Sequence, residues 1–108
     1  MLFLLIARNR PGPEAVATRD RLRPRQFETV RAMAASGAMR IGGALLDESG
    51  APLGSMAVLD FPGRAELDSW LADHPYRRNG VWDSVEICIL QPAPVFAGSR
   101  HQTTAPAA

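Results

Sequence analysis

Every position from Met1 to Ala7 is apolar, so a strand formed by this run is apolar on both sides. Successive strand side chains point to opposite faces, which puts Leu2, Leu4 and Ile6 on one face and Phe3 and Leu5 on the other. Such a strand belongs in the middle of a sheet and has to be covered above and below. Val81 to Leu90 has the same character, with Val85, Ile87 and Ile89 on one face and Trp82, Cys88 and Leu90 on the other. The opening run also looks like the core of a secretory leader. However, no basic segment precedes it, Arg8 and Arg10 follow at once, and it is far shorter than the ~20 apolar residues of a membrane span. It reads as a buried strand of a cytoplasmic protein with no membrane partner.

Breakers and periodicity place the remaining elements. Asn9 to Pro13 is a breaker cluster, and Ala15 to Leu22 is a polar, Arg-rich helical or turn segment. Pro24 lacks a backbone N–H and suits the first position of a helix, with Arg23 held outside it. That helix is expected over Pro24–Ser36, with Phe27, Val30, Met33 and Ala34 as its buried stripe and Gly37 as its stop. A strand over Met39–Leu46 is interrupted by Gly42-Gly43, where missing side chains let another group approach the backbone. Asp47 to Gly50 is a turn, and Gly54–Phe61 completes a hairpin. In Arg64–His74, Leu67, Trp70, Leu71 and His74 recur at i, i+3, i+4 and i+7, the mark of an amphipathic helix. Pro75 ends it.

The order strand, helix, strand, strand, helix, strand is the ferredoxin-like split βαβ pattern of the α+β class. Right-handed crossovers put both helices on one face of a four-stranded antiparallel sheet. Two helices cover one face only, and the other would expose an apolar patch larger than monomers carry. A homodimer with the sheets face to face is the expected partner arrangement. The domain is expected over residues 1–96, followed by a flexible tail over 97–108.

All 12 basic residues of this 108-residue chain are Arg, and the net charge is only +1. No basic stripe stands out, and the strand Gly54–Phe61 lacks the aromatics that RNA-binding domains of this strand order display, so no nucleic-acid partner is expected. Cys88 is the only cysteine, which rules out an internal disulfide and suits a reducing compartment. The two histidines, His74 and His101, are far apart, so no metal-ligand spacing exists. No phosphate loop or Ser-His-Asp arrangement is present, and no cofactor is expected.

The segment Asp73-His74-Pro75-Tyr76 is the main chemical signal. It places a group that titrates near neutral pH on the apolar face of a helix that has to stop there. Together, RPRQFETVRAMAASGAMRIGGA from Arg23 and LADHPYRRNGVWDSVEICIL from Leu71 to Leu90 resemble the YciI-like (YCII-related) family. The resemblance covers roughly residues 1–96 and implies a dimeric α+β barrel with a small pocket between sheet and helices. It also implies an acid–base dyad, made of a His two residues after the Arg-Pro and the Asp of an Asp-Pro junction. A few members act on chlorinated or hydroxylated aromatic rings. Here Gln26 stands at the His position and His74 at the Asp position, whereas Arg23, Pro24, Gly43, Pro75, Tyr76 and Gly80 keep the pattern.

The expected site has His74 as the proton-transfer group, oriented by Gln26. Arg23 holds a small anionic or aromatic ligand, and Gly43 and Tyr76 contact it. The expected function is a small-molecule lyase or isomerase. The alternative is a binding or dimerisation module whose dyad has lost its chemistry.

Overall fold

A computed structural model describes residues 1–97. The tail expected over 97–108, with His101, lies outside the described residues except for Ala97. The elements run β1 (Leu2–Asn9), α1 (Pro13–Ser36), β2 (Met39–Leu46), β3 (Pro52–Asp60), α2 (Arg64–Ala72), α3 (Pro75–Arg78), β4 (Trp82–Ile89) and α4 (Pro94–Ala97). The sheet order is β2-β3-β1-β4 with every neighbour antiparallel. This is the ferredoxin-like α+β arrangement that the element order called for, with the doubly apolar β1 in the interior of the sheet.

One sheet face forms the core. Phe3, Leu5 and Ala7 of β1 lie beside Ala57 and Leu59 of β3, and this surface packs against Leu22 of α1 and Leu67 and Leu71 of α2. Phe3, Leu5, Leu59 and Leu67 are at most 1% exposed. Each such burial is worth roughly 1.5–3 kcal/mol, so these four side chains hold both helices to this side. The register aligns Leu4, Val58 and Ile41 across three strands, and Ile6 with Met56, on the opposite face. Ile41 is exposed there, and Leu4, Ile6, Met56 and Val58 are half-buried. Among the described residues, no helix is long and apolar enough to cross a membrane.

Three local expectations are corrected. First, α1 begins at Pro13 rather than Pro24 and continues through Pro24 for 24 residues. Pro24 has no N–H for the Asp20 carbonyl, and an interior proline costs about 3 kcal/mol. Contacts on both sides of it outweigh that cost. Ala15, Arg19 and Leu22 are buried upstream, and Val30 and Met33 pack on the core downstream. Arg23 is therefore helical, and the first-position proline is Pro13, after Gly12. Second, the stripe is rotated: Phe27 is 55% exposed and Ala34 is exposed. The stop at Gly37 holds, with φ 85° in the left-handed region that favours glycine. Third, Trp82 does not share a face with Cys88. Arg8 pairs with Ser84 but Asn9 pairs with Trp82, so Asp83 is an extra residue in β4. A bulge of this kind reverses the alternation and turns the indole towards the helices.

The Asp47–Gly50 turn forms as expected. Asp47 Oδ1 accepts hydrogen bonds from the Ser49 and Ala51 backbone N–H groups at 2.8 and 3.0 Å.

Candidate functional site

The site grows out of Pro75. Its ring disfavours the helical region for the residue before it, and His74 is extended at φ −65°, ψ 130°. Helix α2 therefore ends at Ala72, two residues earlier than the spacing predicted, and His74 becomes the N-cap of α3 with Pro75 at the first position. His74 Nδ1 accepts a hydrogen bond from the Tyr76 N–H at 3.1 Å. Because Nδ1 is the acceptor, the ring proton of the neutral imidazole sits on Nε2. Tautomer control thus comes from the backbone of Tyr76. The expected orienting group, Gln26, has its Oε1 buried without a hydrogen-bond partner among the described residues.

His74 is 3% exposed and enclosed by aromatic rings. It stacks on Trp82 at 4.4 Å between centroids and 27° between planes, and it meets Trp70 edge-on at 5.2 Å. Burial, helped by the positive charge of Arg19, lowers its pKa from 6.5 to about 4. At neutral pH the ring is an uncharged hydrogen-bond donor, and its remaining lone pair is already engaged.

Arg19 escaped the sequence reading because Ala15–Leu22 looked like a polar connector. It is 9% exposed. Nη1 donates to Asn9 Oδ1 at 3.0 Å, and Nη2 donates to Ser55 Oγ at 3.1 Å and the Gly54 carbonyl at 3.4 Å. Its guanidinium also lies over the Tyr76 ring, 4.9 Å from the centroid. Burial lowers the Arg19 pKa and raises that of Tyr76. A signal for Arg19 existed: Ala15, Arg19, Leu22, Gln26, Val30 and Met33 follow helical spacing along one stripe once the helix is carried through Pro24.

A cavity of about 130 Å³ lies between α1 and the sheet. For comparison, an engineered apolar cavity of about 150 Å³ accepts one benzene. All five expected residues line it: Arg23, Gln26, Gly43, His74 and Tyr76. Arg19, Trp70, Trp82 and Gly42 join them, and among the described residues no carboxylate does. Arg23 sits over the Phe27 ring, 5.6 Å from its centroid. The register pairs Gly43 with Met56 on the far face, so Gly43 offers the cavity its peptide. On the near side Gly42 makes room for Met39, whose Sδ would stand 2.6 Å from a Cβ there. The site thus gathers two guanidiniums, one neutral imidazole and a phenol on an aromatic floor. It can hold a ring-sized ligand, favour its ionised form and donate hydrogen bonds to it. Among the described residues, no cluster of His, Cys, Asp and Glu is placed to hold a metal ion.

A four-stranded antiparallel sheet with both long helices on one face, and a pocket between the layers, defines an α+β protein of the ferredoxin-like class. The chain belongs to the YCII-related domain family, whose model matches residues 1–91. Its fold is similar to that of 5-chloro-2-hydroxyhydroquinone dehydrochlorinase from Burkholderia phenoliruptrix AC1100, solved in complex with 2,5-dihydroxybenzoquinone. The TM-score is 0.75 at 18% identity, covering 86% of this chain and 96% of that one. An antibiotic biosynthesis monooxygenase is similar at a TM-score of 0.50 and 21% identity, covering 87% of this chain and 100% of that one. No curated protein matches the chain.

Proposed function

We propose that the chain is a lyase- or isomerase-type enzyme, acting by acid–base chemistry on a small anionic ring compound in this pocket, as a cytoplasmic homodimer. The observation that carries the reading is a buried, neutral His74 in a ring-sized cavity shared with Arg19 and Arg23 and, among the described residues, free of carboxylates. The two cations favour loss of an acidic ligand hydroxyl's proton to solvent. His74 then donates from Nε2 to the resulting oxyanion and stabilises charge developing on the ring. Tyr76, whose hydroxyl burial keeps protonated, adds to the polar end of the site. The dehydrochlorinase of similar fold gives a substrate to try first.

The test is chloride release from 5-chloro-2-hydroxyhydroquinone by the wild type and by His74→Ala. Catalysis predicts release above background that falls at least about a hundredfold in the variant. A variant within about threefold of wild type removes His74 from the chemistry. A second reading, a ligand-binding module without turnover, is favoured by one observation. His74 Nδ1 is held by the Tyr76 N–H and Gln26 replaces the family's other dyad member, so no lone pair stands ready to take a proton. Tight binding of hydroxyquinones with no conversion decides for that module.

The homodimer rests on the face bearing Leu4, Ile6, Ile41, Met56 and Val58, which neither α1 nor α2 covers. The single cysteine, Cys88, is exposed and free, which suits a reducing cytoplasm.

A further inference from the structure

Two polar atoms on residues that line the cavity are withdrawn from water without a partner among the described residues. Trp82 Nε1 and Gln26 Oε1 are both buried and make no hydrogen bond among the described residues, and both residues line the same cavity. An unpaired buried polar atom costs about 1–3 kcal/mol, and native proteins keep few of them. Trp82 cannot easily turn its nitrogen to solvent. It is 7% exposed, with its ring stacked on His74 and edge-on to Tyr76 at 5.7 Å and 82°. Its inward orientation is also fixed by the Asp83 bulge.

The two atoms have opposite polarity. An indole nitrogen only donates, and an amide oxygen only accepts. They come from different walls, Trp82 from β4 and Gln26 from α1. An object inside the cavity that satisfies both has to carry an acceptor and a donor. Resting on the reading that this pocket holds a ring-sized ligand, we propose that Trp82 and Gln26 are its ligand-reading pair. The indole N–H donates to a carbonyl or oxyanion oxygen, and the Gln26 carbonyl accepts from a hydroxyl. The ligand class is therefore a single planar ring bearing both a hydroxyl and a ketone or enolate oxygen. Bare hydrocarbon rings and rings with a carbonyl alone leave one or both atoms unpaired, and such a mismatch is where a polar pocket gains its selectivity.

The test uses three rings of similar size: tropolone with hydroxyl and carbonyl, tropone with the carbonyl alone, and toluene with neither. Each is titrated at pH 5.5, where tropolone keeps its hydroxyl proton, into ¹⁵N-labelled wild-type protein while the indole N–H resonances are followed, with Trp70→Phe identifying the Trp82 signal. Tropolone and tropone are expected to move the Trp82 indole proton downfield, and toluene is not. Trp82→Phe should weaken tropolone and tropone alike by roughly five- to tenfold, the value of one hydrogen bond. Gln26→Leu should weaken tropolone by a similar factor and leave tropone unchanged.

Tropolone or tropone binding in the cavity with an unmoved Trp82 indole overturns the pair while leaving the pocket intact. Equal weakening of tropone and tropolone by Gln26→Leu overturns the role of Gln26. Failure of all three to shift any cavity residue removes the pocket as a ligand site, and the proposed function falls with it. The indole measurement needs no variant of Trp82, so a misfolded Trp82→Phe would not rescue the proposal.

Discussion

Holding His74 neutral has a thermodynamic signature in acid. In the folded chain its pKa is lowered to about 4, first by burial and then by the charge of Arg19, against 6.5 for a free histidine. A lowered histidine pKa means that the unfolded chain takes up a proton before the folded one does. Stability is therefore complete above pH 6.5 and is lost as the pH falls towards 4. At about 1.4 kcal/mol per unit, the full effect is of order 3 kcal/mol, and most of it, about 2.5 kcal/mol, has gone by pH 4.5. The carboxylates act in a different window. Asp47 and Asp60 have pKa values below the usual 3.8, so their contribution is present above that value and fades below it.

Urea unfolding at pH 7.5 and 4.5, at fixed protein concentration, measures the loss in the wild type and in His74→Asn, which keeps a side chain able to cap α3. The wild type should lose about 2–3 kcal/mol more than the variant between the two pH values. His101 is common to both chains and cancels. Equal losses, or an imidazole proton resonance of His74 with a midpoint near 6.5, would refute a buried neutral ring.

Other perturbations test the surroundings of the site. Arg19→Met removes the charge that disfavours protonation, so the His74 midpoint in proton NMR should rise from about 4 yet stay below 6.5, because burial is the larger cause. Gly54→Ala places a Cβ 1.9 Å from the Ala7 carbonyl oxygen, which cannot move without breaking the β1–β3 ladder. It should cost at least about 2 kcal/mol in urea unfolding. Val58→Glu puts a charge in the centre of the open sheet face. If that face joins two copies, sedimentation should show a dimer for the wild type and a monomer for the variant, with the His74 titration unchanged.

The sheet was legible because strand periodicity needs only the alternation of side chains, and β1 declares its faces over the whole element, as β4 does from Ser84 onward. Helix α2 was legible for the same reason, through Leu67, Trp70 and Leu71. The first half of α1 was hidden by Pro24, a residue whose local preference argues for a boundary. Buried contacts upstream and downstream overrode that preference, and no local rule reports them. With the helix start misplaced, Arg19 was lost among its Arg neighbours and the buried stripe was set on Phe27. His74 was found from Pro75, but its state was not. Spacing placed it at the end of a helix, where a positive charge is favoured, whereas the fold makes it the cap of the next turn and buries it. Trp82 was put on the wrong face because a bulge is a matter of pairing between two strands, which a single segment does not encode.

That bulge makes one wall of the cavity depend on how residues are paired and not on their kind. Taking Asp83 into the ladder opposite Asn9 would restore even alternation along the final strand and swing the indole to the outer surface. The imidazole would lose the ring it lies against, and a bulky aromatic would appear where a second copy of the sheet is expected to dock. A register slip of a single residue, with every side chain kept, would thus strike the binding chamber and the subunit contact together.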